Sequence, residues 1–327
     1  MFSAVIDRTL DRDFLMLRIT VFVSLFLAGS VTADECPTRL LVSGHGSDNV
    51  HVFDACSGRF TRLLDSAGRI DGAQGIAEDD QERLYLASEE NGRILRYRAD
   101  NLAFIDVFVG PGGLAPLRVK RPTGVAVGPD GDVYVAGFNS DDIVRLDPDT
   151  GRELRHYPLH TAGLSGPDAG IAFLPDGRLL VPGFESDNLI ALDPETGETQ
   201  RPLESIQPGL SRPRTIRVDP IANRILISSW GSNRVIAFEM DEKIASEVLR
   251  TPRPTGFLQG PDGGWLVTSD ADSTLHEFDA VGRRIGEWSH DNTGGLSGAT
   301  FIHRLEVSTT LPQTVNSTDS RSEARRK

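Results

Sequence analysis

Positive charge, cysteine, aromatic residues and long apolar runs are all scarce in this chain. Against 47 Asp and Glu stand only 34 Lys and Arg, and the formal net charge of −13 excludes a general phosphate-seeking surface and a nucleic-acid partner. Aromatics are 7% of residues, a poor supply for a helix-bundle core, and there are only 2 cysteines and 3 tryptophans. The one uncharged run, Ile19 to Ala33, falls short of the roughly 20 apolar residues of a membrane-spanning helix, which excludes a polytopic membrane protein. Hydrophobic residues at 39% and charged residues at 25% exclude disorder over the full length. What is plentiful is glycine, 33 residues, and proline, 19, which together demand many turns.

Neither end reads as part of the fold. Arg18 precedes the apolar run, and Val31 and Ala33 are small residues at the −3 and −1 positions of a cleavage site, so residues 1–33 read as a signal peptide and the mature chain begins at Asp34. Asp7, Asp11 and Asp13 are foreign to a basic leader, and Met16 competes with Met1 as the start. Residues 308–327 are rich in Ser and Thr and read as a disordered tail; Asn316-Ser317-Thr318 is a glycosylation sequon there. The intervening unit, 34–307, is the folded domain. With three basic and three acidic residues removed at the start, and four basic and two acidic at the end, it carries −15. An acidic exported domain favours small molecules, cations, glycans or proteins as partners. Cys36 and Cys56 are an even pair in an exported chain and predict a disulfide.

The strongest signal is internal repetition. Gly75, Gly124, Gly170, Thr215 and Gly256 head similar apolar segments at steps of 49, 46, 45 and 41 residues, the length of one four-stranded propeller blade. Within the blocks, Gly128-Pro129-Asp130-Gly131, Leu174-Pro175-Asp176-Gly177 and Gly260-Pro261-Asp262-Gly263 are tight turns, and each precedes an apolar strand. Asp147-Pro148-Asp149-Thr150-Gly151 and Asp193-Pro194-Glu195-Thr196-Gly197 mark a second recurring turn. Residues 40–64 supply three strands of a block and lack the first, while Ser297 to Phe301 supplies an isolated first strand. Pairing the two predicts an all-β fold, a ring of six four-stranded antiparallel blades closed by the C-terminal strand in the N-terminal blade.

From Leu40 to about Val307, and most typically from Arg121-Pro122-Thr123-Gly124-Val125-Ala126-Val127 through Asp147, the sequence resembles six-bladed propellers of the NHL-repeat, gluconolactonase (regucalcin)-like and virginiamycin-B-lyase-like type. The resemblance implies that the inner strands line the axis and that ligands meet the face carrying the loops between second and third strands. On that mapping the residues heading the first strands are Gln74, Thr123, Ala169, Arg214, Thr255 and Ser297, and those ending the second strands are His45, Glu89, Phe138, Phe184, Trp230 and Asp270.

Two chemistries follow. Phe138, Phe184 and Trp230 form an aromatic wall for a small molecule, glycan or protein, with Gln74 and Arg214 able to orient a ligand and Arg212 nearby. His45, Glu89 and Asp270 would be neighbours around the ring and could hold a divalent cation, calcium or magnesium, for a hydrolase or lyase. His160 and His290 are placed on the same face, and His51 and His276 are expected to be packed and hydrogen-bonded. Gluconolactonase-like members hold their cation with Glu, Asn and Asp, whereas the matching places here read Gln74, Ala169 and Gly183 or Phe184. His276 and Glu277 lack the flanking signature of the lyases, and the axial histidines of amidating lyases are missing. The expectation is therefore a secreted or periplasmic monomeric propeller that binds a ligand at its channel face, with a metal-dependent hydrolase or lyase as the alternative.

Overall fold

The computed structural model describes residues 36–200, 209–240, 244–288 and 292–306. The leader 1–33, the tail 308–327 with Asn316, and His290 lie outside these residues. The described residues form six four-stranded antiparallel sheets. The chain begins with β1 (Thr38–Gly44), β2 (Asn49–Asp54) and β3 (Phe60–Leu63), followed by the first complete blade, β4 (Ala73–Glu78), β5 (Arg83–Ser88), β6 (Arg93–Arg98) and β7 (Phe104–Val109). The second blade comprises β8 (Pro122–Val127), β9 (Val133–Gly137), β10 (Asp142–Leu146) and β11 (Glu153–Pro158), and the third β12 (Ala172–Phe173), β13 (Leu179–Gly183), β14 (Asn188–Leu192) and β15 (Thr199–Gln200). The fourth is β16 (Pro213–Asp219), β17 (Arg224–Ser229), β18 (Arg234–Glu239) and β19 (Ile244–Arg250), and the fifth β20 (Pro254–Gln259), β21 (Trp265–Ser269), β22 (Thr274–Phe278) and β23 (Arg284–Trp288). The last strand, β24 (Ala299–Glu306), pairs antiparallel with β1, Thr38 opposite Glu306 and Val42 opposite Ile302. This closure is the one anticipated from the isolated first strand, and it leaves the ring without an open inner edge.

Burial falls between blades. Tyr85, Ala87, Ile94 and Phe108 of the first blade pack with Val125, Val133, Val135 and Val144 of the second, and the same wedge recurs around the ring. Each fully buried aliphatic side chain contributes about 1.5–3 kcal/mol, so the inter-blade seams hold most of the cohesive energy. At the axis the inner strands approach so closely that a Cβ on Gly75 would lie 2.7 Å from the carbonyl oxygens of both Thr123 and Ala169. At position 75 that close approach admits only glycine.

The turns at one end are held by their acids. Asp130 accepts the Tyr134 hydroxyl at 2.7 Å, and Asp147 takes both the backbone N–H and the hydroxyl of Thr150 at 2.8 and 2.7 Å. At this end Cys36 and Cys56 form a disulfide with Cα atoms 5.8 Å apart, joining the start of β1 to the β2–β3 turn. Such a link stabilises by about 2–4 kcal/mol.

The opposite end carries a latch that repeats around the ring. One residue leading into each inner strand, immediately before it in five blades and six residues before β12 in the third, adopts a left-handed backbone: Gly72, Arg121, Gly166, Arg212, Arg253 and Gly298 have φ of 67°, 53°, 64°, 49°, 41° and 59°. The carbonyl of each accepts the backbone N–H of the residue just after the second strand of its own blade: Glu89, Phe138, Phe184, Trp230, Asp270 and His45, at 2.8–3.2 Å. Five of their own N–H groups donate to a side chain of the preceding blade, to Asp48, Asp141, Asp187, Asn233 and Ser273 at 2.6–2.9 Å. Asp141 and Asp187, which as loop acids would otherwise be merely solvated, are therefore structural acceptors.

Those five acceptors are themselves left-handed, with φ of 50–59°, a conformation that Asp and Asn tolerate because their short polar side chains bond locally. The sixth equivalent position is Gly92, φ 68°, which has no side chain to offer Arg121 and open space where a Cβ would be. Asp141→Asn should leave thermal stability nearly unchanged, whereas Asp141→Ala should cost about 1–2 kcal/mol. Gly92→Asn should at least match wild type while Gly92→Ala falls below it by about 1 kcal/mol; chemical denaturation curves of the four variants check the pattern.

Candidate functional site

Because the same backbone bond fixes all six second-strand ends, His45, Glu89, Phe138, Phe184, Trp230 and Asp270 stand at equivalent places around one mouth of the axis. Together with Gln74, Arg214, Arg121, Thr123, Asp168, Gly298 and Thr300 they line a cup of about 280 Å³. All eight residues singled out in the sequence as ligand-binding candidates are on this lining.

The inner ring is different from the one expected. Counting from the left-handed residue, its members are Gln74, Thr123, Asp168, Arg214, Thr255 and Thr300, not Ala169 and Ser297. The third blade carries one extra residue, Pro167-Asp168-Ala169-Gly170-Ile171 against Pro122-Thr123-Gly124-Val125, so alignment on the glycine slips by one and hides Asp168. Ala169 is buried in the core, while Ser297 is exposed and its carbonyl takes the Gly46 N–H. Alignment on the residue before the inner-ring position, Ala73, Pro122, Pro167, Pro213, Pro254 and Ala299, recovers the correct register. Thr255 turns inward to Thr268 and the Ala299 carbonyl and does not line the cup.

Below the cup the axis is filled. Phe301 is 7% exposed and shares a buried cluster with Ala73, Ile76 and Ala169. The Arg217 guanidinium lies 5.6 Å from the Phe301 ring centre and donates to the carbonyls of Phe257 and Ile302 at 2.7 and 2.6 Å. Burial, with Arg304 nearby, pushes Arg217 down to about 10.

Two charge systems shape the cup. On one side Arg214 donates to Asp168 at 2.7 and 3.2 Å, with side-chain exposures of 12% and 2%. Burial pushes the Asp168 carboxyl up, opposed by the guanidinium against it; burial disfavours the Arg214 cation, but Asp168 outweighs this and holds it up. On the other side His45 Nε2 lies 3.3 Å from Glu89 and 3.2 Å from Glu90, while Arg121 reaches Glu89 and Glu90 at 2.7 and 2.6 Å. Glu89, 4% exposed, also accepts from the Gln74 amide. The Glu89 hydrogen bond raises the His45 pKa above its ordinary value. For Glu89, burial acts upward and is overcome by bonds from His45 and Gln74 and by the Arg121 charge, so its pKa is lowered.

The trio expected to hold a cation is not gathered. In the cup the donor atoms that come within 4.8 Å of one another belong to His45, Glu89 and Glu90; Asp270 is not among them and accepts the Trp230 indole N–H at 3.0 Å. Arg121 already pairs with both glutamates, so a divalent ion would have to displace a guanidinium to bind. The aromatic wall is also modified. Phe138 and Phe184 are 5.9 Å apart and Phe184 and Trp230 5.7 Å, as a continuous arc, but arginines lie over the rings. Arg121 sits 5.9 Å from Phe138, Arg212 5.5 Å from Phe184 and 5.2 Å from Trp230, Arg214 5.7 Å from Phe184, and Arg253 4.9 Å from Trp230. The rings therefore seat guanidinium groups more than they offer bare stacking faces.

Among the other histidines, His160 is exposed on a short 3-10 helix (Leu159–Ala162) and does not line the cup. His51 is bonded to Ser47 and the Thr293 carbonyl, and His276 to Thr251 and Asp272.

No family model and no curated protein sequence matches this chain. Solved structures do, at the level of the fold. A chain of a nidogen/laminin complex is 15% identical with a TM-score of 0.65 and covers 82% of this chain and 98% of its own. A protein of unknown function from Bacteroides caccae is 14% identical, TM-score 0.59, covering 82% and 99%. A catalytically inactive virginiamycin B lyase from Staphylococcus aureus with quinupristin is 14% identical, TM-score 0.58, covering 83% and 94%. At these identities the likeness establishes the six-bladed β-propeller and leaves chemistry to the site itself.

The pH response of the cup follows from the two shifted groups. With its folded pKa raised, His45 contributes stability that is present below about 6.5 and is lost as pH rises through the folded value. With its folded pKa lowered, Glu89 contributes above the ordinary carboxylate range and loses that contribution as pH falls. The stability difference between wild type and His45→Gln should therefore shrink as pH rises above about 6.5 and through the raised folded value, as melting curves from mildly acidic to mildly alkaline pH would read; a constant difference would contradict the assigned pairing.

Proposed function

We propose that this protein is an exported, monomeric propeller that binds a small molecule in the cup at the mouth of its axis. The carrying observation is the cup itself: a concave site of about 280 Å³, closed below by Phe301 and Arg217, with polar groups converging on it from all six blades. Its interior charges are largely compensated by Arg214–Asp168 and Arg121–Glu89, so the site is preorganised and does not need a ligand to hold it open.

Export rests on the leader-like residues 1–33 and on the Cys36–Cys56 disulfide, which suits an oxidising compartment. The folded unit of this reading is 34–307, followed by the tail 308–327, and its mature N-terminus is Asp34. Among the described residues no helix is long and apolar enough to cross a membrane. A glycan or protein partner on the same face is compatible with the fold, since one structural relative comes from a nidogen/laminin complex. The metal-assisted hydrolase or lyase has weaker support, because Arg121 occupies the carboxylates that a cation would need.

Ligand-observed NMR with a fragment library tests the reading. Hits on the wild-type protein should be lost on Trp230→Leu and on Thr123→Tyr, changes in the fourth and second blades of the cup, with melting curves confirming that each variant is folded. Hits that persist equally on both variants would place the binding elsewhere and overturn the proposal.

A further inference from the structure

Beside the cup, against its Trp230 but not on its lining, stand two cations that among the described residues have nothing of opposite charge to hold. Arg212 and Arg253 are both exposed, and among the described residues neither guanidinium has a carboxylate partner, in a chain whose net charge is −13. Asp187, the nearest acid in the latch, accepts only the backbone N–H of Arg212. Both side chains are instead laid against the same indole, Arg212 at 5.2 Å and Arg253 at 4.9 Å from the Trp230 ring centre. Contact with a ring positions a guanidinium without using its N–H groups, so these donors remain available.

The backbone carries a second, independent sign. The left-handed position before the inner strand is glycine in three blades, Gly72, Gly166 and Gly298, and arginine in the other three, Arg121, Arg212 and Arg253. A non-glycine residue there costs about 1–2 kcal/mol, and such strain concentrates where function requires a side chain. Arg121 is used internally against Glu89 and Glu90; Arg212 and Arg253 are not.

The interior has the opposite character. Among the described residues Asp270 accepts the Trp230 N–H and is in no ion pair, and Glu89 is nearly buried. The Gln74 amide is oriented because its nitrogen must donate to Glu89, and this leaves its buried carbonyl oxygen without a donor. An acid group therefore meets free N–H donors beside Trp230, while a hydroxyl or amine finds acceptors without a donor or cation, the Gln74 carbonyl and Asp270, inside the cup.

We infer that the ligand is a small organic anion whose acid group docks between Arg212 and Arg253 and whose hydrogen-bond-donating end enters the cup. This rests on the reading of the cup as the ligand site and adds the charge, polarity and orientation of what it takes. Arginine pairs of this kind hold carboxylate or phosphate oxygens through two parallel N–H donors, so the shared chemistry is an oxyanion, and the two sources separate experimentally.

The test uses the mature protein and a panel of small hydroxy and amino acids, phenyllactate among them, each matched with its primary amide, which keeps the shape and removes the charge. Inorganic phosphate and the phosphate ester phosphoserine form a second arm. Binding is read by tryptophan fluorescence and thermal shift. The expected result is saturable binding of one or more organic acids with the paired amide at least about tenfold weaker, and a similar loss for the acid on Arg212→Met/Arg253→Met but not on the distant Arg178→Met. Phosphoserine binding above the carboxylates would assign the oxyanion as a phosphate; equal binding of inorganic phosphate alone would reveal an unspecific cationic patch and overturn the inference. Amides that bind as well as acids would overturn it while leaving the cup as a neutral binding site. Failure of every acid, amide and phosphate to bind a folded wild-type protein would overturn the inference, and only an empty result in the fragment screen as well would remove the cup reading itself.

Discussion

One backbone residue per blade, held in the left-handed conformation at the start of the inner strand, ties the ring together at the end that carries the cup. Its carbonyl takes the N–H just after the second strand of its own blade, and its N–H is taken by the preceding blade in five cases out of six. Each blade is thus fixed internally, and five of the six also to a neighbour, by the same residue. The wedge packing between blades supplies the larger energy, but it is non-directional. The latch supplies direction, and so decides that six unrelated side chains, His45, Glu89, Phe138, Phe184, Trp230 and Asp270, face one another across a common mouth.

That arrangement separates architecture from chemistry. The bonds that set the frame are made by main chain and by short acceptors in the turns, so the residues presented to the cup are free to differ from blade to blade. Half of the mouth is an aromatic arc seating arginines, and the other half is a hydrogen-bonded cluster of His45, Glu89, Glu90 and Arg121. The asymmetry gives the cup a polarity, with unpaired cations beside it against Trp230 and unpaired acceptors inside. A ligand entering such a field is oriented before it makes close contact.

Much of the frame could be read from the sequence, and the reasons are physical. Pro-Asp-Gly turns and inner-strand glycines are demanded by φ > 0 and by close approach at the axis, so they recur at blade spacing and expose the repeat; the missing first strand of residues 40–64 announced the closure. The outer ring of the cup followed from the same alignment. What escaped were features that depend on a single register step or on three-dimensional pairing. Asp168 was hidden by the extra residue in its blade. Thr300 was displaced because Gly298 precedes its strand rather than heading it. Arg121, Arg212 and Arg253 look like ordinary surface arginines beside prolines until their left-handed φ values place them over the rings. Asp270 could not be separated from the His45 and Glu89 pair, because nothing in sequence spacing shows that its carboxylate is claimed by the Trp230 indole.

The central claim, that the latch builds a ligand cup whose rim reads an acid group, is tested most directly by a crystal structure of the mature protein grown with an excess of phenyllactate. The account predicts density inside the cup, with the carboxylate lying between Arg212 and Arg253 and the hydroxyl directed toward Asp270 or Gln74. Phenyllactate bound elsewhere with the cup free of it, or seated with its carboxylate on the floor beside Glu89, would contradict it.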